Sequence, residues 1–96
     1  MPAAFYRGGT SLKPKPGEVR TDPRTGLLQT THGVSVYDRP DGLDRFGGAF
    51  EVVSLPDTLK VIQRGRDPHH YEIVPAQPMP PEEYERALDQ VVLAEV

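Results

Sequence analysis

The chain contains no cysteine. Disulfides and thiolate-bound structural zinc are excluded, and the redox compartment leaves no trace in the composition. No apolar run approaches the ~20 residues that a helical bilayer span requires. The opening stretch MPAAFYRGG lacks the basic and long apolar regions of a signal peptide. Basic charge is not in excess: 11 Lys and Arg against 14 Asp and Glu give a net charge of −3, which argues against a broad nucleic-acid-binding face. Positive charge is local, at Lys13, Lys15, Arg20 and Arg24 and again at Arg64 and Arg66. Nucleotide and hydrolase fingerprints are also missing. Gly8-Gly9 opens no GxGxxG or GK[ST] pattern, and no GxSxG elbow occurs.

What the chain has in quantity is turn chemistry, with 11 Pro and 9 Gly among 96 residues. This predicts many short elements and a single domain with a modest core. Ala3–Arg7 reads as a strand ending at Gly8-Gly9. Residues 13–26, KPKPGEVRTDPRTG, form a long polar loop. Leu27–Thr31 and Val34–Tyr37 read as one bent strand or two adjoining ones. Arg39–Phe46 suits a short helix closed by Gly47-Gly48. Ala49–Leu55, Leu59–Gln63 and Tyr71–Val74 are three further strands joined by turns. The final stretch, PPEEYERALDQVVLAEV, reads as one helix. Pro81 lies in its first turn with Glu82 and Glu83, and Tyr84, Leu88, Val91 and Val92 share one face.

A few residues stand out as candidates for chemistry. Glu72 lies inside an apolar strand pattern, where alternation turns it away from Tyr71 and Ile73. It is either an outward-facing strand residue or a carboxylate on a cleft. His69 and His70 are adjacent and would point to opposite faces of a strand, so the three histidines make no metal set. Thr30-Thr31-His32 offers hydroxyls that either decorate a strand or position a ligand.

The order of these pieces resembles the ADP-ribosyltransferases of the Arg-Ser-Glu class. An aromatic-Arg-Gly strand comes first, in FYRGGTSL; a Thr/Ser-bearing segment follows, in TTHGVSVYD; a strand with a Glu comes late, in HYEIVP. Together with LKVIQRG, these stretches are similar to the C-terminal toxins of Rhs polymorphic proteins, and within that group to toxins that modify elongation factor Tu. The resemblance implies an α+β fold with two short β-sheets forming an NAD cleft, a short central helix and a C-terminal helix. It implies that residues 1–96 are one catalytic domain, carried at the C-terminus of a larger protein and delivered into the cytoplasm of a target cell. It also implies a target protein and a cognate immunity protein as partners, with no membrane or nucleic-acid partner.

For the site, the resemblance implies that NAD is the substrate. Glu72 and Arg7 would be the catalytic pair, with Arg7 on the phosphate or adenosine ribose. Tyr6, Gly8 and Gly9 would line the NAD site, with the Gly8 backbone on the nicotinamide amide. Thr30 and Thr31 would brace the cleft, and Ser35 gives a second register for that motif. Tyr37 or Tyr71 would stack on nicotinamide. The sequence departs from the arginine-modifying members at His70, where those carry Glu or Gln. Two other classes stay open: a ribonuclease using His32, Thr31, Arg64 and Tyr71, against which the net negative charge counts, and a non-enzymatic binding or immunity module with an acidic terminal helix.

Overall fold

Runs rich in β-branched and aromatic residues become strands, and the Gly- and Pro-rich stretches become the turns between them. The computed structural model describes residues 4–96. Ala3, the first residue of the expected leading strand, lies outside them. The strands are β1 (Tyr6–Gly8), β2 (Val34–Tyr37), β3 (Ala49–Ser54), β4 (Leu59–Gln63), β5 (His70–Pro75) and β6 (Val92–Glu95). One helix, α1 (Pro81–Leu88), precedes β6, and 3-10 turns occur at Pro16–Glu18 and Asp44–Phe46. The class is α+β.

The strands form one antiparallel sheet in the order β4-β5-β2-β1-β3-β6. The expectation of two separate sheets is therefore corrected. The physical reason is the pair Tyr6↔Tyr37, which joins β1 to β2. That pair is the whole ladder between them, whereas β2 and β5 share four pairs and β4 and β5 share five. The sheet consists of two three-stranded halves held at a narrow waist.

The expected terminal helix is also corrected. It begins as the sequence indicates, with Pro81 in the first turn and Glu82 and Glu83 complementing the helix dipole. It stops at Leu88, and the chain turns through Asp89 and Gln90. Val92–Glu95 then pairs with β3. Two adjacent β-branched residues and an unpaired β3 edge favour strand there over continued helix. Leu27–Thr31 is not a strand; Leu28 makes only isolated bridges to Thr21 and Met79. The short helix expected over Arg39–Phe46 shrinks to the 3-10 turn, closed by Gly47 in the left-handed region.

The core lies on one face of the sheet beneath α1. Val34 and Val36 of β2, Ile73 of β5 and Leu59 of β4 pack with Leu28, Met79, Tyr84, Ala87 and Leu88. Burying each large apolar side chain contributes about 1.5–3 kcal/mol before ordering costs. Tyr84 is fully buried, and its hydroxyl joins two strands: it donates to the Ile73 carbonyl and accepts the Val34 N–H at 3.1 Å. The helix is thereby fixed to the junction of β2 and β5. The sheet's other face carries the site.

Candidate active site

Residues directly opposite in an antiparallel pair project to the same face. Ser35 is opposite Glu72, and Tyr37 is opposite both His70 and Tyr6. Ser35, Tyr37, His70, Glu72 and Tyr6 therefore share the face away from the core. Tyr71 belongs to the core face, where its ring meets Phe5 edge-on at 4.8 Å between centroids. Of the two stacking candidates, only Tyr37 is on the site face.

Glu72 is turned away from Tyr71 and Ile73 as alternation requires, but it is buried, at 2% exposure. Three donors hold its carboxylate. Oε1 accepts the Gly33 N–H at 2.9 Å, and Oε2 accepts Arg64 through Nε at 2.9 Å and Nη2 at 2.8 Å. Charge-assisted bonds of this kind are what make a buried carboxylate tolerable. Arg64 comes from the turn after β4 and is 43% exposed, so it covers Glu72 from the solvent side. Gly33 is required where it stands: a Cβ there would lie 1.8 Å from the Ile73 carbonyl oxygen.

His70 stands beside this pair. Its Nδ1 donates to the Arg64 carbonyl at 2.7 Å, since a carbonyl only accepts. In the neutral ring, Nε2 then bears the lone pair and accepts the Ser35 hydroxyl at 3.0 Å. The same Nε2 is 3.8 Å from Glu72 Oε2. Ser35 also connects to β1, where Arg7 Nη1 donates to its carbonyl at 2.7 Å and Arg7 Nε donates to the Ser11 carbonyl at 3.1 Å. Continuing the β1–β2 register past the waist would set Gly8 opposite Ser35. The guanidinium takes up that carbonyl instead.

A cleft of about 220 Å³ opens here, lined by Arg7, Gly8, Lys15, Ser35, Tyr37 and Phe46 among others. A second, of about 230 Å³, shares Tyr37 and Leu43 with it and carries Arg39, Arg45 and His69. In that second cleft His69 Nδ1 meets Asp38 Oδ1 at 2.9 Å. The largest groove, about 690 Å³, lies between the Thr10–Pro14 segment, α1 and Leu93, away from the motif residues. Size alone does not place chemistry there, because Ser35, His70 and Glu72 line none of it.

The structure brings together Arg7, Gly8, Tyr37 and, through Ser35, Glu72. Thr30 and Thr31 lie in the turn before β2 and do not line the cleft; Thr31 Oγ1 bonds His32 Nδ1 at 2.7 Å. The hydroxyl beside Glu72 is Ser35. Gly8 and Gly9 have a different explanation from ligand approach. A Cβ on Gly8 would lie 2.7 Å from Phe46 Cδ2, and one on Gly9 would lie 2.6 Å from the Phe46 carbonyl oxygen. Gly9 also has a φ of 78° and donates its N–H to the Gly48 carbonyl. The 3-10 turn lies across the glycines, with Phe46 52% exposed beside the cleft.

Sequence reasoning missed Phe46 and the Arg64 clamp. The Gly47-Gly48 pair was the available signal for the first; nothing local marks the second. The burial of His32 lowers its pKa below 6.5, with the charges of Arg64 and Arg20 adding to the effect. Among the described residues, no cluster of His, Asp or Glu is arranged to hold a metal ion, and no helix is long and apolar enough to cross a membrane. Comparison of the chain with family models, curated proteins and solved structures finds no match.

Proposed function

We propose that this domain is a mono-ADP-ribosyltransferase toxin of the Arg-Ser-Glu type, transferring ADP-ribose from NAD to a bacterial protein. The carrying observation is adjacency. β2 lies between β1 and β5; the Arg7 side chain bonds the Ser35 carbonyl, and the Ser35 side chain projects to the same face as Glu72. These residues are distant in the chain, and a sheet that separated their strands would scatter them.

In this reading, the nicotinamide riboside half of NAD occupies the cleft beside Ser35 and Tyr37. The remainder extends along Tyr37 and Leu43 into the adjoining cleft. Arg7 supplies a permanently charged donor for phosphate or ribose. Glu72 becomes available when the half-exposed Arg64 rotates away. Its carboxylate then accepts the nicotinamide ribose 2′-hydroxyl and stabilises the oxocarbenium-like state as nicotinamide leaves. Following the resemblance, the target is elongation factor Tu, the protein is delivered to a target cell's cytoplasm as part of a larger polymorphic protein, and an immunity protein blocks it.

The test is transfer of label from NAD to protein in a bacterial lysate, with wild type compared to Glu72→Gln, which preserves side-chain size. The expected result is one labelled band, reduced by about a hundredfold or more in the variant. RNA degradation without labelled protein, or labelling that is indifferent to Glu72, would overturn the proposal.

A further inference from the structure

We infer that His70 is the terminal base for a neutral, protic acceptor, taking its proton through Ser35; this rests on the transferase reading above. Two observations carry the inference. The first is the orientation of the imidazole. The Arg64 carbonyl fixes the hydrogen on Nδ1, which directs the Nε2 lone pair at the Ser35 hydroxyl. Ser35 lines the cleft while His70 stands behind it. A base oriented by a third group and bonded to a cleft hydroxyl is the arrangement required for proton removal.

The second observation is charge. Arg7 and Lys15 line the cleft, and Arg64 lies over Glu72. Of the nearby carboxylates, Glu72 is held by Gly33 and by Arg64 or, in the reacting complex, the ribose hydroxyl, and Asp38 meets His69; Glu18, which lines the cleft, accepts one backbone N–H from Lys15. An incoming guanidinium would meet two cations, Arg7 and Lys15, against the single Glu18 carboxylate in the cleft lining. A hydroxyl meets no such penalty. The acceptor class is therefore a neutral O–H group.

The step balances as follows. An acceptor oxygen lone pair forms the bond to the anomeric carbon of the nicotinamide ribose. The carbon–nitrogen glycosidic bond breaks, and its electron pair neutralises the pyridinium as nicotinamide departs. The acceptor's proton passes to Ser35 Oγ as the Ser35 proton passes to His70 Nε2. The resulting imidazolium is 3.8 Å from the Glu72 carboxylate, which stabilises it.

The test compares acceptors that do and do not lose a proton. Nicotinamide itself attacks through a pyridine nitrogen and needs no base, so exchange of labelled nicotinamide into NAD reports bond cleavage alone. Methanol is the protic probe and agmatine the guanidine probe. Wild type is expected to exchange nicotinamide and to form O-methyl-ADP-ribose in preference to the agmatine adduct. In His70→Gln, methanol transfer is expected to fall about tenfold or more further than nicotinamide exchange does. Imidazole added to His70→Ala should restore methanol transfer. Equal loss of exchange and transfer in His70→Gln, loss of neither, or preference for agmatine would overturn the inference. If wild type neither exchanges nicotinamide nor cleaves NAD, the transferase reading itself falls.

Discussion

Gly33→Ala tests how the sheet holds its buried carboxylate, Glu72. Gly33 is not at positive φ, so alanine is conformationally permitted and any cost is steric. The added Cβ would lie 1.8 Å from the Ile73 carbonyl oxygen and 2.6 Å from the Tyr84 hydroxyl oxygen. Neither neighbour can yield alone. The carbonyl is part of the β5 backbone, and Tyr84 is bonded to both strands. Relief requires β2 to move off β5, which stretches the Gly33 bond to Glu72. Overpacking costs about 1–3 kcal/mol, and a weakened bond to a charged group about 1.5–3 kcal/mol. Together about 2.5–6 kcal/mol is removed from a total on the order of 5–15 kcal/mol. Gly17 is the control, since nothing lies within 4 Å of its Cβ position and its φ is not positive. Gly17→Ala should gain about 0.4–1 kcal/mol by restricting the unfolded chain. Thermal unfolding followed by circular dichroism reads both, at about 4–8 °C per kcal/mol for a domain of this size. The Gly33 variant is expected to lose about 10 °C or more and the Gly17 variant to gain a few. A Gly33 variant melting within about 2 °C of wild type would refute the steric reasoning.

Three further outcomes follow from the same contacts. Burial raises the Tyr84 pKa from 10.0 to about 12, so the unfolded chain ionises first on the alkaline side. Stability is then full below pH 10 and lost as pH rises towards 12, and Tyr84→Phe should flatten that loss in melts across this range while losing about 1–3 kcal/mol at neutral pH through the orphaned Val34 N–H. Gly8→Ala should destabilise by about 1–3 kcal/mol through its clash with Phe46. In a urea double-mutant cycle, Phe46→Ala should remove most of that cost, and strict additivity would contradict the contact. Because the His32 pKa lies below 6.5 when folded, the unfolded chain takes up its proton first. Its contribution is full above pH 6.5 and is lost as pH falls; His32→Asn should narrow the difference between urea midpoints at pH 7.5 and pH 5.

Local patterns located much of the fold. Alternation and β-branched runs marked five of the six strands, and Pro81 with the two glutamates marked the start of α1. β6 was hidden because Val91 and Val92 continue a helical stripe; only the open edge of β3, a non-local fact, decides for strand. Leu28 has strand-like neighbours, yet it is fixed as a loop by Met79 and Thr21 from distant segments. At the site, Arg7, Glu72 and Tyr37 were legible as polar or aromatic residues in strand patterns. The choice of Ser35 over Thr30 and Thr31 needed the β2–β5 register, which no run of sequence contains. Arg64 was legible as a local positive charge and a candidate phosphate contact, and only folding places it on Glu72.

The Arg7 bond to Ser35 gives the waist of the sheet an uncommon mechanical property. Backbone rungs open together, because each shares a peptide unit with its neighbours. A rung made by a side chain is released by rotation about its own bonds, with the strands left in place. The stiffness of the joint between the two half-sheets is thus partly set by a single rotamer. An anion that captured the guanidinium would loosen the joint as it bound, coupling occupancy of the cleft to the angle between its walls.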